Sequence, residues 1–309
     1  MRLSRMLALG AAALVLVSAC SLGGGSSRPT IKMGSVGFAE ARVMAEVYAQ
    51  VLEDMGYTVT RDGIGLGDRA VVAPAIESGQ IDIQPEYIGS RLGFEGGTPT
   101  GDSNTNRSQL QALLDPKNLT VLAYTPAVDT NAFVVRQDTA DEFNLDSIGD
   151  LASVQDQLNW GLPTDCPENP LCGAEGGALE QYGITQDTIA GATKLGACDT
   201  PMADALRTGT IDVAELCSTQ PDILVNSWVV LEDDLATQPA DNVAPIVRDS
   251  LLEQLGQQNL AADFEEALNT VSQAIDTPTL ADLYKQVAVD NRDARDVAAE
   301  WLQENGFLD

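Results

Sequence analysis

The chain has 309 residues, 44% of them hydrophobic, with 17 basic side chains against 46 acidic ones and no histidine. That length favours two lobes over one core, and a net charge of −29 excludes nucleic acid, whose binding needs a basic footprint. Without histidine there is no His-based acid–base catalysis, no Ser-His-Asp or Cys-His triad and no His-ligated metal.

The N-terminus reads as a targeting segment. Arg2 and Arg5 precede an apolar run from Met6 to Val17, too short to span a membrane and suited to a secretory signal. It ends in Val17-Ser18-Ala19-Cys20. Small residues just before a cysteine resemble a bacterial lipobox, which makes residues 1–19 a signal peptide and Cys20 the lipidated first residue of the mature chain. Plain secretion is the alternative. Losing residues 1–19 removes two arginines and no acid, taking the charge from −29 to −31. The acidity reads as a solvated surface. Residues 20–30, rich in Gly and Ser, form a flexible tether.

The mature fold alternates strands and helices, the pattern of an α/β protein. Ile31 to Ser35 is the first expected strand, and a helix follows from Phe38 to Met55. Met44, Tyr48, Leu52 and Met55 mark its apolar face. Tyr57 to Arg61 is a strand that leads into Gly63-Ile64-Gly65-Leu66-Gly67. This glycine spacing resembles a phosphate loop only weakly, because it lacks the Lys-Ser/Thr of a P-loop; a flexible loop is the expectation. Asp68 is placed to cap the next helix.

A repeat then organises the chain. Ala75 to Tyr87, AIESGQIDIQPEY, is echoed by Ala205 to Cys217, ALRTGTIDVAELC. Each copy reads as a helix end, a glycine stop, Ile-Asp and a short buried strand. Gly79 and Gly209 suit the left-handed position that closes a helix, and each following strand suits a parallel sheet. Ligands in open α/β sheets sit beyond the carboxyl ends of strands, so Tyr87 and Cys217 become matched positions facing a cleft.

Between the copies, Gly96 to Asn106 reads as a loop and Arg107 to Leu114 as a helix. Leu119–Tyr124 and Ala132–Arg136 read as strands joined by the polar turn Pro126 to Asn131. A strand ends at Trp160-Gly161, a helix ends near Tyr182-Gly183, and Ala192 to Cys198 is another strand. Thr200-Pro201 starts a helix. From Val247 to Phe307 the chain is expected to be almost wholly helical. FVVRQD at 133–138 and WVVLED at 228–233 read as two strands crossing between lobes, a hinge arrangement. The expected lobes are 31–132 plus 233–309, and 133–232.

Four cysteines follow Cys20: Cys166, Cys172, Cys198 and Cys217. An even count in an exported chain points to two disulfides, with three pairings open. Cys166 and Cys172 flank a short Pro-rich loop, which favours their pairing. Cys198 and Cys217 end two expected neighbouring strands. A four-cysteine metal site is the rival, and no C-x-x-C motif supports it.

Together, Gly34-Ser35-Val36-Gly37-Phe38-Ala39-Glu40, Ala75 to Ser90, Asp129 to Phe133, the Tyr182-Gly183 helix end and Ile211 to Gln220 resemble the glycine betaine/choline-type substrate-binding proteins of ABC transporters. The resemblance spans nearly all of residues 31–309. It implies a two-lobed periplasmic-binding-protein-like clamshell with a helical C-terminal tail. It also implies capture of a small extracytoplasmic solute for a membrane permease driven by a cytoplasmic ATPase. No enzyme activity, cofactor or metal is implied, and a monomer is expected.

Family members often hold a quaternary ammonium in a box of tyrosines by cation–π attraction. Here Tyr87 matches one box position, and Asn131, Ala203 and Cys217 occupy the others. Asn169 stands where relatives use an arginine to grip a carboxylate. Phe38 or Tyr124 is left to compensate. The site is otherwise polar. Ser35 to Gly37 precede a helix N-terminus, and Ser90, Asp129, Asn131, Ser218, Thr219 and Gln220 lie near strand ends. Asp129 is placed to face an ammonium. The expected ligand is therefore a small zwitterion or polyol-like solute with hydrogen-bond donors. Two alternatives are a sensor lipoprotein signalling through a partner and a lipid-anchored hydrolase using Glu232-Asp233-Asp234, a run that more often forms a solvated face.

Overall fold

The computed structural model describes residues 28–196 and 200–308. The signal segment, the lipobox with Cys20 and the expected bridge partner Cys198 lie outside the described residues. In chain order come β1 (Thr30–Val36), α1 (Ala39–Asp54), β2 (Thr58–Gly67), α2 (Arg69–Ser78), β3 (Ile83–Tyr87), α3 (Ile88–Phe94), α4 (Ser103–Leu114) and β4 (Leu119–Val121). Next are β5 (Asn131–Val135), α5 (Gln137–Phe143), β6 (Trp160–Pro163), α6 (Ala178–Gln181), α7 (Gln186–Gly191), β7 (Thr193–Leu195), α8 (Thr200–Arg207), β8 (Val213–Cys217), α9 (Pro221–Asn226) and β9 (Val229–Val230). The chain closes with β10 (Val243–Arg248) and helices α10 (Asp249–Gln257), α11 (Ala261–Gln273), α12 (Thr277–Ala288) and α13 (Ala294–Glu304).

Two five-stranded sheets result, ordered β2-β1-β3-β10-β4 and β7-β6-β8-β5-β9. The orders correspond strand for strand. In each sheet the strand of the repeat, β3 or β8, lies parallel to one neighbour and antiparallel to the other. The purely parallel expectation thus holds on one side only. The antiparallel neighbour is contributed by the chain as it arrives from the other lobe.

The repeat is structural in detail. Gly79 and Gly209 have φ of 79° and 72°, the left-handed conformation that glycine adopts without steric cost. Asp82 N–H donates to the Lys32 carbonyl at 2.7 Å, and the Asp82 carboxylate accepts from Lys32 N–H at 3.0 Å. Asp212 does the same with Asn159, at 2.7 and 2.9 Å. Each aspartate also meets an arginine of the antiparallel side, Arg248 at 3.2 Å and Arg136 at 2.8 Å. Ile81 lies over Gly34 and Ile211 over Gly161, where a Cβ would come within 2.4 and 2.3 Å of the isoleucine Cδ1.

Several segments differ from the sequence expectation. Gly63 to Gly67 is the second half of β2 and not a loop. It pairs with β1 through register shifts, and Ile81 covers Gly63 as it covers Gly34. Helix α4 begins at Ser103 because Asp102 caps it, accepting from Thr105 N–H at 2.6 Å. Trp160 opens β6 rather than ending a strand. The stretch before Asp249 is β10, a central strand, so the helical tail starts there.

The crossings also move. β5 and β9 lie side by side in the second sheet, with Val134 opposite Val230. The chain passes between sheets just outside them, through residues 122–130 and 231–242. These straps are tied by a Val128–Asn242 bridge and by Asp129 N–H donating to the Asp241 carbonyl at 3.0 Å. Lying outside both sheets, these straps are placed where a hinge between the lobes would leave each sheet intact.

Helix α1 is buried over nearly its whole circumference, from Glu40 to Leu52. The sheet covers one side and α11, α12 and α13 cover the other. The tail is therefore part of the first lobe's core. α12 also packs on α9, so it touches both lobes.

We expect Gly63→Ala to destabilise the protein by about 1–3 kcal/mol, the usual cost of overpacking. Its Cβ would meet Ile81 at 2.4 Å and the Met33 carbonyl at 2.8 Å, and backbone cannot yield as a side chain can. Urea titration checks this: the midpoint should fall at unchanged slope.

Candidate solute-binding cleft

Strand ends and straps converge on a cavity of about 120 Å³ lined by Phe38, Glu40, Asp129, Cys217, Thr219, Gln220 and Tyr284. The first wall comes from the β1–α1 junction, the second from the β8–α9 loop, the floor from a strap and the roof from α12. Phe38 is 47% exposed, an unusual state for phenylalanine that its place on the cleft explains. Its ring lies 5.5 Å from that of Tyr87 at 44°. The buried Tyr87 hydroxyl donates to Glu40 Oε1. The Thr219 hydroxyl donates to Asp129 Oδ1 at 2.9 Å.

The expected site residues divide into two groups. Phe38, Asp129, Thr219 and Gln220 line the cavity, and Tyr87 stands directly behind it. The others are engaged in structural bonds. Ser35 is fully buried, donating to the Val36 carbonyl at 2.9 Å and accepting from Gly65 N–H at 3.0 Å. Ser90 donates through N–H and hydroxyl to the Asp241 carboxylate, fixing α3 to the second strap. Ser218 donates to the Val128 carbonyl at 2.8 Å and accepts from Thr130 N–H at 3.0 Å, fixing the other strap to β8. Asn131 donates to Gln238 at 3.3 Å.

At the box position of Ala203 the side chain is in the second lobe's core, and Asn169, at the arginine position, stabilises its own loop by accepting from Leu171 N–H at 2.9 Å. Tyr124 donates to Asn104, outside the cavity lining.

Cys166 and Cys172 form a disulfide. Their sulfurs and the Glu215 carboxylate cluster within 4.8 Å, but joined sulfurs are not thiolate ligands. Cys217 is disulfide-bonded as well.

Glu40, Asp241 and Tyr284 belong to the cleft and its immediate surroundings but were not among the expected residues. Glu40 carried a signal: it lies four residues before Met44 on the stripe Met44-Tyr48-Leu52, a carboxylate on an apolar face. Tyr284, in the helical tail, carried none.

The electrostatics follow from burial. Desolvation, reinforced by the nearby charge of Asp129, pushes Glu40 from an ordinary 4.5 up to about 8, against the lowering effect of the Tyr87 hydrogen bond and of the nearby Thr219 hydroxyl. Desolvation raises Asp129 from 3.8 to about 6, opposed by the bonds from Thr219. Asp241, behind the pair, is raised by burial and held down by its bonds to Ser90 and Gly89. Outside the cleft, burial beside Asp165 raises Glu215 to about 8.

Comparison with known proteins agrees with this architecture. The sequence profile of the family described as the substrate binding domain of ABC-type glycine betaine transport system matches residues 29–304. The chain is 29% identical to the glycine betaine-binding protein YehZ of Escherichia coli, over 98% of this chain and 99% of the relative. It is 24% identical to the carnitine transport binding protein OpuCC of Listeria monocytogenes, over 96% and 94%. Apo YehZ superposes with a TM-score of 0.76 at 27% identity, covering 90% of this chain and 99% of that one. A glycine betaine/carnitine/choline ABC transporter structure gives 0.78 at 21% identity, covering 90% and 100%.

Raised carboxyl values predict a sign for stability against pH. Between 4.5 and about 8 the folded state keeps a proton on Glu40 that the unfolded chain has lost, so stability falls as pH rises through that window. Asp129 and Glu215 add slopes of the same sign. Thermal melts of the ligand-free protein should show a lower midpoint at pH 8.5 than at pH 5.5. Glu40→Gln should raise the pH 8.5 midpoint and flatten part of the slope.

Proposed function

The chain belongs to the family of substrate-binding domains of ABC-type glycine betaine transport systems, and from that premise we propose which of its residues hold the solute and how it is tethered. The family is one of solute-binding receptors for importers. Such receptors work outside the cytoplasmic membrane, where they deliver solute to a permease coupled to an ATPase.

The observation that carries the assignment of the site is the cavity between the sheets, at the carboxyl ends of the paired repeat strands. Phe38 and Tyr284 form its aromatic part, with Tyr87 behind Phe38. Asp129, Thr219 and Gln220 form its polar part, with Glu40. Ser90, Ser218, Asn131 and Ser35 act indirectly, by holding the straps and strand ends that carry those residues. The solute is small and polar, of the betaine and choline class in its broadest sense. The lobes follow the expected division, 31–132 plus 233–309 and 133–232, with its edges moved to the straps at 122–130 and 231–242 so that all of β5 belongs to the second lobe; they close on the solute by bending at those straps. The receptor acts as a monomer, as the family resemblance implies.

No helix among the described residues is long and apolar enough to cross a membrane. The lipobox-like Val17-Ser18-Ala19-Cys20 supports attachment through a lipid on Cys20. Cys20→Ser should move the exported protein from the membrane fraction to the soluble one on detergent-free fractionation; retention in the membrane would refute the anchor.

Calorimetry against glycine betaine, choline, carnitine, ethanolamine, amino acids and polyols tests the receptor reading. At least one should bind saturably, and Tyr87→Ala should weaken it by about tenfold or more through loss of an aromatic face and of the Glu40 donor. Tyr87→Phe should retain part of that affinity by keeping the ring. Unchanged binding in Tyr87→Ala would remove this residue from the site.

A further inference from the structure

We infer that the cleft is built for a net-positive amine that brings N–H donors, and that such a ligand displaces a proton from the Glu40–Asp129 pair as it binds. The inference deepens the receptor reading and rests on it.

The first observation is the set of donors and acceptors facing the cavity. Glu40 Oε2 is buried and accepts no hydrogen bond among the described residues, and neither does Gln220 Oε1. Both residues line the cavity. A cavity bounded by two buried oxygens without a partner suits a ligand that donates hydrogen bonds, to Gln220 Oε1 directly and to Glu40 Oε2 once its own proton has left. A fully methylated ammonium has no N–H to give. A primary ammonium has three, enough for Glu40 Oε2, Gln220 Oε1 and Asp129, and a secondary one has two, enough for two of them.

The second is the distribution of charge. Among the described residues, no arginine or lysine lines the cavity. Arg69 of α2, whose charge acts on Asp241 and Tyr87, is engaged by Glu86 at 2.9 Å. Every other charge facing Glu40 is acidic or neutral. Asp129 and Asp241 come from the two straps, Tyr87 from β3 and Tyr284 from α12, with Asp222 of α9 beside Tyr284. A ligand carboxylate would meet no counter-charge here and would face like charges. A cation meets two carboxyl groups and two aromatic faces, Phe38 and Tyr284, which suit the alkyl part and add cation–π attraction.

The proton balance follows. Burial keeps Glu40 protonated near neutrality in the empty site. An arriving ammonium stabilises the carboxylate, so the O–H proton leaves to solvent and an N–H···O⁻ bond replaces it. The ligand stays protonated and one proton is released per ligand bound.

Calorimetry on the purified protein decides this with three probes: ethanolamine, a cation with N–H donors; choline, a methylated cation; and glycine betaine, a methylated zwitterion. Each is titrated at pH 6.5 and 8.5 in buffers of different ionisation enthalpy. Ethanolamine should bind at least tenfold more tightly than glycine betaine, with choline between them. It should release a proton at pH 6.5, and its affinity should rise by up to about tenfold per pH unit below about pH 8. In Glu40→Gln, shown to be folded by its melt, the proton release should vanish and ethanolamine binding should fall at least tenfold. Asp129→Asn is the second variant should the first not fold, and wild-type proton release needs neither. Glycine betaine binding as tightly as ethanolamine, or ethanolamine binding without proton release, overturns the inference and leaves the receptor standing. Tight binding of an uncharged polyol in preference to all three does the same. Failure of every solute class to bind overturns both.

Discussion

Each lobe is built on the same constraint, an Ile-Asp pair set one residue beyond a left-handed glycine. The aspartate exchanges two hydrogen bonds with the entry of the neighbouring parallel strand and holds an arginine from the antiparallel side. The isoleucine sits over a glycine in that parallel neighbour, in space that no Cβ can occupy. The register of three strands is thereby fixed at one point. Side chains alternate along a strand, so a slip of one residue would turn every one of them over. Tyr87 reaches the cleft, and Cys217 lines it, because Asp82 and Asp212 stand five residues upstream at pinned positions.

This explains what could be read from the sequence and what could not. The repeat was legible because its parts are local: a helix stop, an apolar residue, a carboxylate and a short buried run. The Asp68 cap was legible for the same reason. Strand β10 was not, because it carries no local signal of that kind and the expected helical tail begins inside it, at Val247; Pro245 stands in it opposite Pro85 of β3, although proline is rare in a central strand. The fold accommodates both because the bonds that proline cannot donate are not needed at that pair. The displaced crossings share this origin: FVV and WVV read as similar strands, but only the position of β10 shows where the chain changes sheets.

The site divides along a related line. Residues just beyond strand ends, such as Asp129, Thr219 and Gln220, were legible because open α/β sheets place ligands there. Whether a short polar side chain faces a ligand or a neighbouring carbonyl is decided by tertiary contacts. Ser35, Ser90 and Ser218 satisfy backbone or carboxylate groups that would otherwise be buried without partners. Their hydroxyls hold the cleft's frame in place. Tyr284 belongs to a helix whose apolar stripe serves the core, and only the packing of α12 on both α1 and α9 brings its ring over the cavity.

The two walls have diverged in chemistry while sharing a frame. The first supplies rings and a carboxyl group through Phe38, Tyr87 and Glu40. The second supplies short polar groups through Thr219 and Gln220, beside a strand end fixed by the disulfide at Cys217. Glu40 comes from the first wall and Asp129 from the strap between the lobes, so each brings a buried carboxyl group to one small space. Desolvation raises both pKa values, with the charge of Asp129 adding to the rise at Glu40 and that of Asp241 to the rise at Asp129, so the ionised form of each carboxyl group is disfavoured there. A cation placed between them reverses that preference. On the proposed reading, a cation bridges a group of the first wall and one of the strap between the lobes, so the charge that favours binding also favours holding wall and strap together.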